Sequence, residues 1–179
     1  MATSKNLIIN YKKNTFVPTG TSDLLVESIK RKLKIKGDVL DLGAGSGYVG
    51  IKLLSLFKDK FNLFASDIGR TATQIIKSNA KINKKDIIVR TGSLFKPWKN
   101  YKFDFILNDV SGISEDVAKI SPWFKDVSCK SGKDGTKLTM QIIKESKKFL
   151  TKKGVICFPI LSFANENKVL ETVKKNFRY

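Results

Sequence analysis

The sequence predicts an α/β fold, a mostly parallel sheet with helices on both faces, and three observations carry that prediction. Apolar runs of strand length alternate with helical periodicity from one end of the 179 residues to the other. The run Phe103-Asp104-Phe105-Ile106-Leu107 is apolar almost throughout, as in a strand buried on both faces. Another apolar run, Val39-Leu40-Asp41-Leu42, passes at once into a glycine cluster and then a helix.

Taken in order, residues 7–11 read as a short strand. The turn-rich Pro18-Thr19-Gly20 leads into a helix with Thr21, Ser22 or Asp23 as its cap and Leu24, Leu25, Ile29 and Leu33 at helical spacing, ended by Gly37. Residues 39–42 form a strand and 49–57 a helix. The alternation repeats with a strand at 61–66, a helix at 71–82 and a strand at 87–90. The fourth strand of the alternation is 103–107. Residues 109–135 read as irregular, 136–150 as a helix, 154–163 as a strand and 165–177 as the last helix. Ligands of such sheets bind at the carboxyl ends of the strands, so the loops after Leu42, Ser66, Arg90 and Leu107 are where a site is expected.

Composition narrows the chemistry. With 34 basic and 16 acidic residues the formal charge is +18, which invites a polyanionic partner such as RNA or the ribosome. Yet 30 of the basic residues are Lys and only 4 are Arg, a pattern of AT-rich coding rather than of bidentate phosphate recognition. The chain has no histidine, which excludes imidazole bases, His-containing triads and zinc sites that need His. Cys129 and Cys157 are too few for a thiolate metal site, so no metal is expected, and a reduced cytosolic pair is the simpler reading. With no signal pattern and no membrane-length apolar stretch, a soluble cytoplasmic protein is expected. Residues 1–179 are expected to be one domain, with an N-terminal strand and helix (1–36) ahead of a cofactor-binding core (37–179).

The segment Asp41-Leu42-Gly43-Ala44-Gly45-Ser46-Gly47-Tyr48-Val49-Gly50 is the most informative. Glycines let the backbone turn sharply and let a ligand approach closely, and the following helix aims free N–H groups at the same place. Twenty residues past Gly47, Asp67 ends the next strand, placed to accept hydrogen bonds from ribose hydroxyls. Gly45 to Gly50 also spells the GxGxxG of dinucleotide sites. A pyrophosphate there would face Asp41, an unfavourable pairing of anions, whereas a cationic ligand would welcome it. S-adenosylmethionine, with its sulfonium and ammonium, is therefore favoured over a dinucleotide.

Asp41-Leu42-Gly43-Ala44-Gly45-Ser46-Gly47 resembles the first motif of class I S-adenosylmethionine-dependent methyltransferases, which implies their Rossmann-like sheet. The likeness covers nearly the whole chain and is closest to the HemK type, enzymes that methylate a glutamine amide of peptide-release factors. Phe16-Val17-Pro18-Thr19-Gly20-Thr21-Ser22-Asp23-Leu24-Leu25 is similar to their segment before the cofactor helix, Ala65-Ser66-Asp67-Ile68 to their ribose-binding strand end, and Gly132-Lys133-Asp134-Gly135 to their G-x-DG turn. The resemblance implies that Gly43, Gly45 and Gly47, with Ala44 among them, line the methionine part and that Asp67 holds the ribose, with Ile68 beside it. The family's adenine-contacting acid after the third strand is absent, with Thr91-Gly92-Ser93-Leu94 in its place, where Ser93 is expected to hydrogen-bond the base beside Leu94.

The HemK-type Asn-Pro-Pro-Tyr is replaced here by Asn108-Asp109-Val110-Ser111, which keeps the asparagine alone. Methyl transfer is an in-line displacement dominated by positioning, so it needs no histidine. Asn108 and Asp109 are the candidate catalytic pair, Asn108 to orient an attacking nitrogen and Asp109 to take its proton; as a turn-forming pair they also have a purely structural reading. Val110, Ser111 and Trp123 are candidate substrate contacts, with Trp123 and Phe124 either walling an acceptor pocket or pinning a loop to the core. The expected acceptor is a protein or RNA nitrogen, ribosome-associated in one version. The alternative is a module that keeps the fold and cofactor without catalysis and uses its basic face for RNA or a ribosomal partner. Class I sheets usually add a sixth and a seventh strand, so a sheet ending after five is expected to have an open edge, paired with another chain or covered by the N-terminal strand.

Overall fold

The computed structural model describes residues 7–13, 15–110, 112–124, 127 and 129–177. Its strands are β1 (Gly37–Leu42), β2 (Phe61–Asp67), β3 (Ile87–Thr91), β4 (Phe103–Asn108) and β5 (Leu150–Cys157). The helices are α1 (Gly20–Lys32), α2 (Tyr48–Leu56), α3 (Arg70–Ile82), α4 (Glu115–Ile120), α5 (Lys137–Ser146) and α6 (Glu166–Asn176). All strand pairs are parallel and the order is β3-β2-β1-β4-β5. The sheet grows one way from β1 through β3 and the other way from β4, so the crevice between the ends of β1 and β4 is the topological switch point where such folds bind ligands.

Alternation along each strand builds a core on both faces. Val39, Leu63 and Leu107 pack with Val26, Ile29 and Leu53 of α1 and α2, while Leu40, Leu42, Phe64 and Ile106 pack with Phe95, Trp98 and Ile142 on the other side. Register then brings the strand ends level: Leu42 stands beside Ser66 and beside Asn108, and Asp67 beside Thr91. Four loops that are far apart in the chain therefore open on one spot.

Several expectations change. Residues 7–11 are not a strand. Their backbone is held instead by two side-chain amides one turn apart on α3. Asn83 Oδ1 accepts from Ile8 N at 3.0 Å and its Nδ2 donates to Ile8 O at 2.6 Å. Asn79 does the same for Asn10, at 2.9 and 3.0 Å, and donates further to Ser46 O at 2.9 Å. These amides satisfy the extended segment as a neighbouring strand would, which is why an apolar run of strand composition pairs with no sheet. Asn79 is fully buried, so Asn79→Ala strands backbone groups on two segments and is expected to cost about 2–3 kcal/mol in urea unfolding. The more exposed tie tested by Asn83→Ala is expected to cost less than about 1 kcal/mol; equal costs would refute this account.

The cap of α1 is Thr19, not one of the next residues. Helix α5 ends at Ser146, whose hydroxyl donates to Ile143 O at 2.9 Å, and β5 starts at Leu150 opposite Phe103. Strand β5 then shifts register, Phe105 pairing with Val155, so the predicted start at Gly154 lies beyond an irregularity inside the strand. It ends at Cys157; Pro159 follows, and residues 158–163 are not strand. The stretch read as irregular contains α4, capped by Ser114, whose Oγ accepts from Val117 N at 3.2 Å. Among the described residues β5 pairs with β4 alone, and the N-terminal segment lies on α3 rather than on that edge. No disulfide joins Cys129 and Cys157. Among the described residues no helix is long and apolar enough to cross a membrane.

Candidate active site

The loop after β1 takes its shape from glycines in left-handed conformation. Gly43 has φ +69°, and a Cβ there would meet Val110 Cγ1 at 2.4 Å, so this glycine is required by both backbone and space. Gly45, at φ +56°, is different: a Cβ there would make only ordinary contact with Phe16, at 3.8 Å, so the left-handed backbone rather than crowding asks for glycine. Gly47 caps α2 and packs towards Ile51 and Ile76. It is not among the residues that border the cavity described below. The loop is tied to β2 by Ala44 N, which donates to Ser66 O at 3.0 Å. Ser46, beside it, is buried and its hydroxyl has no hydrogen-bond partner.

Asp67 locks two loops at once. Its Oδ2 accepts from Gly45 N at 3.0 Å and its Oδ1 from Gly69 N at 2.8 Å. Asp41 is 2% exposed and accepts from Gly50 N at 2.9 Å, fixing α2 to the strand. Burial pushes its carboxyl up to about 7; the Gly50 hydrogen bond opposes this, and the nearby Asp109 and Asp67 add to it. Beyond β3, Gly92 N donates to Asp67 O at 2.9 Å, which sets Ser93 and Leu94 against the same space. Arg90 holds that loop from below: its guanidinium donates to Pro97 O at 2.7 Å and lies on the rings of Trp98 and Tyr101.

At the end of β4 the two candidate catalytic residues separate. Asn108 is buried at the end of β4 and its Oδ1 accepts from Val110 N at 3.2 Å, so it shapes the turn, and it is not among the residues bordering the cavity described below. Asp109 does line it. Its Oδ2 accepts from the Ser22 hydroxyl of α1 at 2.5 Å, across 87 residues. Burial pushes its carboxyl up to about 6, opposed by that hydrogen bond. Val110 covers Gly43, and Ser111 lies outside the described residues.

These groups surround a cavity of about 870 Å³. That is in the upper part of the ~300–1,000 Å³ range of small-molecule sites. Asp41, Gly43, Ala44, Gly45, Asp67, Ile68, Ser93, Leu94, Asp109, Val110 and Trp123 all border it. Ile68 is 73% exposed and Trp123 is 52% exposed, so both sit at its mouth, whereas Phe124 packs on Phe16 with ring centroids 5.3 Å apart. That contact closes the N-terminal segment over Gly45. Sequence reasoning missed Ser22, Ser46, Lys130, Leu161 and Phe163 as lining residues. Ser46 and Ser22 stood inside quoted segments, Ser22 as a helix-cap candidate only; Lys130, Leu161 and Phe163 carry no local signal.

Comparison with known proteins fits this geometry. Residues 17–109, just over half of the chain, match the family model of the methyltransferase small domain. The chain is similar to a release factor glutamine methyltransferase of Aquifex aeolicus, 30% identical over 163 residues that cover 86% of this chain and 57% of the relative. Among solved structures it is similar to a ribosomal-protein methylase from Lactobacillus delbrueckii, with TM-score 0.68, 21% identity and coverage of 90% and 70%. It is also similar to a 16S rRNA methyltransferase from T. thermophilus in complex with AdoMet and guanosine, with TM-score 0.65, 18% identity and coverage of 90% and 39%. The chain spans 57–62% of the length of three release factor glutamine methyltransferases that it matches.

Proposed function

The chain belongs to the methyltransferase small domain family, and from that membership we propose that it transfers a methyl group from S-adenosylmethionine to a nitrogen of a protein acceptor. One observation carries the reading. Strand register places the glycine loop, Asp67 and Asp109 around one cavity at the switch point. The protein acceptor rests on relatives named for release-factor and ribosomal-protein glutamine methylation.

The residues present suit the cofactor. Gly43, Ala44 and Gly45 turn a left-handed stretch of backbone onto the cavity wall, and the buried Ser46 hydroxyl, which has no hydrogen-bond partner among the described residues, supplies a polar atom beside it. Gly43, Ala44 and Gly45 would hold the methionine end, Asp67 the ribose hydroxyls, and Ile68, Ser93 and Leu94 the base. Asp41 and Asp109 put negative charge near the cationic groups. The bound cofactor supplies a methyl group activated by its sulfonium. The protein's part is to orient the acceptor in line, exclude water and manage a proton.

Calorimetry with S-adenosylhomocysteine tests the binding half: micromolar affinity is expected, and no heat with a folded sample would sink it. Transfer of labelled methyl into cell protein tests the other half. A module that binds cofactor without transferring it is the second reading, favoured by Asn108 being turned onto Val110 instead of the cavity. It predicts heat without label.

The acids add a pH dependence. Asp41 and Asp109 hold folded-state pKa values of about 7 and about 6. Unfolded, they return to about 4. Each therefore contributes stability that is full below about pH 4 and lost as pH rises through 6–7, because the native state holds the extra protons. Binding of a cation runs the other way: S-adenosylmethionine affinity is expected to rise between pH 5 and 8. S-adenosylhomocysteine, lacking the sulfonium, should follow a shallower curve. Titrations of both ligands across that range check the difference.

A further inference from the structure

The charge of the cavity is opposite to the charge of the chain. The protein carries +18, yet the charged residues lining the cavity, among those described, are Asp41, Asp67 and Asp109 against Lys130. Two of the three acids are already engaged by backbone: Asp41 by Gly50, and both oxygens of Asp67 by Gly45 and Gly69. Asp109 is held through Oδ2 by Ser22, and its Oδ1 takes no hydrogen bond from the described residues. The uncharged acceptor of the same strand end, the Asn108 amide oxygen, is used by Val110 N, and Asn108 is not among the residues bordering the cavity. What the end of β4 presents to an acceptor is thus a carboxylate rather than a pair of carbonyl oxygens.

Resting on the methyl-transfer reading above, we propose that the acceptor is a protonated amine, a lysine side chain or a chain N-terminus, and that Asp109 is the residue that binds it and removes its proton. A phosphate or carboxylate acceptor would enter against three acids. An ammonium is attracted, and its approach to the positively charged methyl donor is offset by the carboxylate beside it. In the step, an N–H bond of the ammonium breaks and an O–H bond forms on Asp109, leaving a neutral amine. The freed nitrogen pair forms the N–CH3 bond as the C–S bond breaks, the pair of that bond staying on sulfur. The product leaves as a methylated ammonium, and Asp109 returns its proton to water. The raised proton affinity of Asp109, caused by burial, brings it nearer to working pH. Ser22 of α1 hydrogen-bonds it and Asp41 of β1 feels its charge, while Asp67 of β2, Tyr48 of α2 and Lys130 of the loop before α5 line the same cavity.

The test uses the full chain, methyl-labelled S-adenosylmethionine and total cell protein, followed by acid hydrolysis. A methylated amine survives hydrolysis as a non-volatile amino acid, whereas a methylated amide releases volatile methylamine. Label in the non-volatile fraction is expected. Asp109→Asn should lower it about a hundredfold or more, the scale of a lost general base, with S-adenosylhomocysteine affinity within about threefold. Ser22→Ala keeps the carboxylate but removes the hydrogen bond that lowers its pKa, so the acid limb of the rate profile should move to higher pH. A purely structural role would leave that limb in place. Volatile methylamine would overturn the amine acceptor and leave the transfer reading standing; label in RNA alone, or none in protein, would overturn both. Independently of turnover, the protein loaded with S-adenosylhomocysteine should bind n-butylammonium in preference to butyramide, and Asp109→Asn should erase the preference. The reverse preference would overturn the proposal.

Discussion

Asp67→Ala is expected to weaken S-adenosylhomocysteine binding by a hundredfold or more while the protein stays folded. The side chain accepts backbone hydrogen bonds from Gly45 and Gly69, so it shapes the glycine loop and the loop after β2 together. A carboxylate accepting from backbone N–H groups makes charge-assisted bonds worth roughly 1.5–3 kcal/mol each. Losing the ribose contacts and the loop anchors therefore removes on the order of 3–5 kcal/mol of binding, and 1.4 kcal/mol is tenfold. Asp67→Asn keeps one oxygen and should fall between the two. Calorimetry on both variants decides, with circular dichroism as the fold control; a loss under about threefold for alanine would remove Asp67 from the site.

The largest effect on stability is expected at Trp98, far from any motif in the glycine loop. Its side chain is fully buried, with Phe64, Tyr101 and Phe103 edge-on at centroid distances of 5.7, 5.4 and 5.7 Å. Its Nε1 donates to Ser66 Oγ at 3.0 Å, and the Arg90 guanidinium lies 4.7 Å from its ring centroid. Trp98→Ala would leave a cavity, an unpartnered Ser66 hydroxyl and a guanidinium without one of its faces, at a cost of about 3–5 kcal/mol. Against a typical total of about 5–15 kcal/mol that is a large share. The melting point should fall by roughly 2–4 °C per kcal/mol in a chain of this size. Trp98→Phe keeps the ring packing and should cost well under half as much. Ser93 and Leu94 sit on the same loop, so cofactor affinity should also fall in the alanine variant; unchanged affinity with lowered stability would separate the two roles.

The legibility of the site differs from residue to residue. The glycine loop and Asp67 could be read directly, because a strand, a tight turn and a helix in succession are local features with a residue signature. Their register with β4 could not, and it is the register that sets Leu42 beside Asn108. Asn108 and Asp109 looked equivalent as a pair. Strand β4 ends between them, so Asn108 is buried in the sheet and closes a turn, while Asp109, past the strand, is held at the cavity wall by Ser22. The hydrogen bond from Ser22 to Asp109 spans 87 residues, so no window of sequence contains it. The error at residues 7–11 has a related cause: strand-like composition reads as sheet pairing, whereas the backbone is paired by the amides of Asn79 and Asn83, in α3 and at its end, and Ile8 and Tyr11 stay exposed. The misplaced end of α5 and start of β5 followed from reading the pair Phe149-Leu150 as the helix's last apolar turn, while the polar Thr151-Lys152-Lys153 that opens β5 carries no strand signal.

By itself the sequence determined the alternation of strand and helix, the parallel sheet that follows from it, the glycine loop and the acid that serves it. These are written in short-range patterns, where steric limits on the backbone and the periods of helix and strand act within a few residues. Only the tertiary structure decided that an acid-lined cavity lies inside a strongly basic chain, that Asp109 rather than Asn108 faces it, and that the N-terminal segment closes it from α3. Those outcomes depend on which distant segments bury one another, and net charge or spacing along the chain carries no record of that.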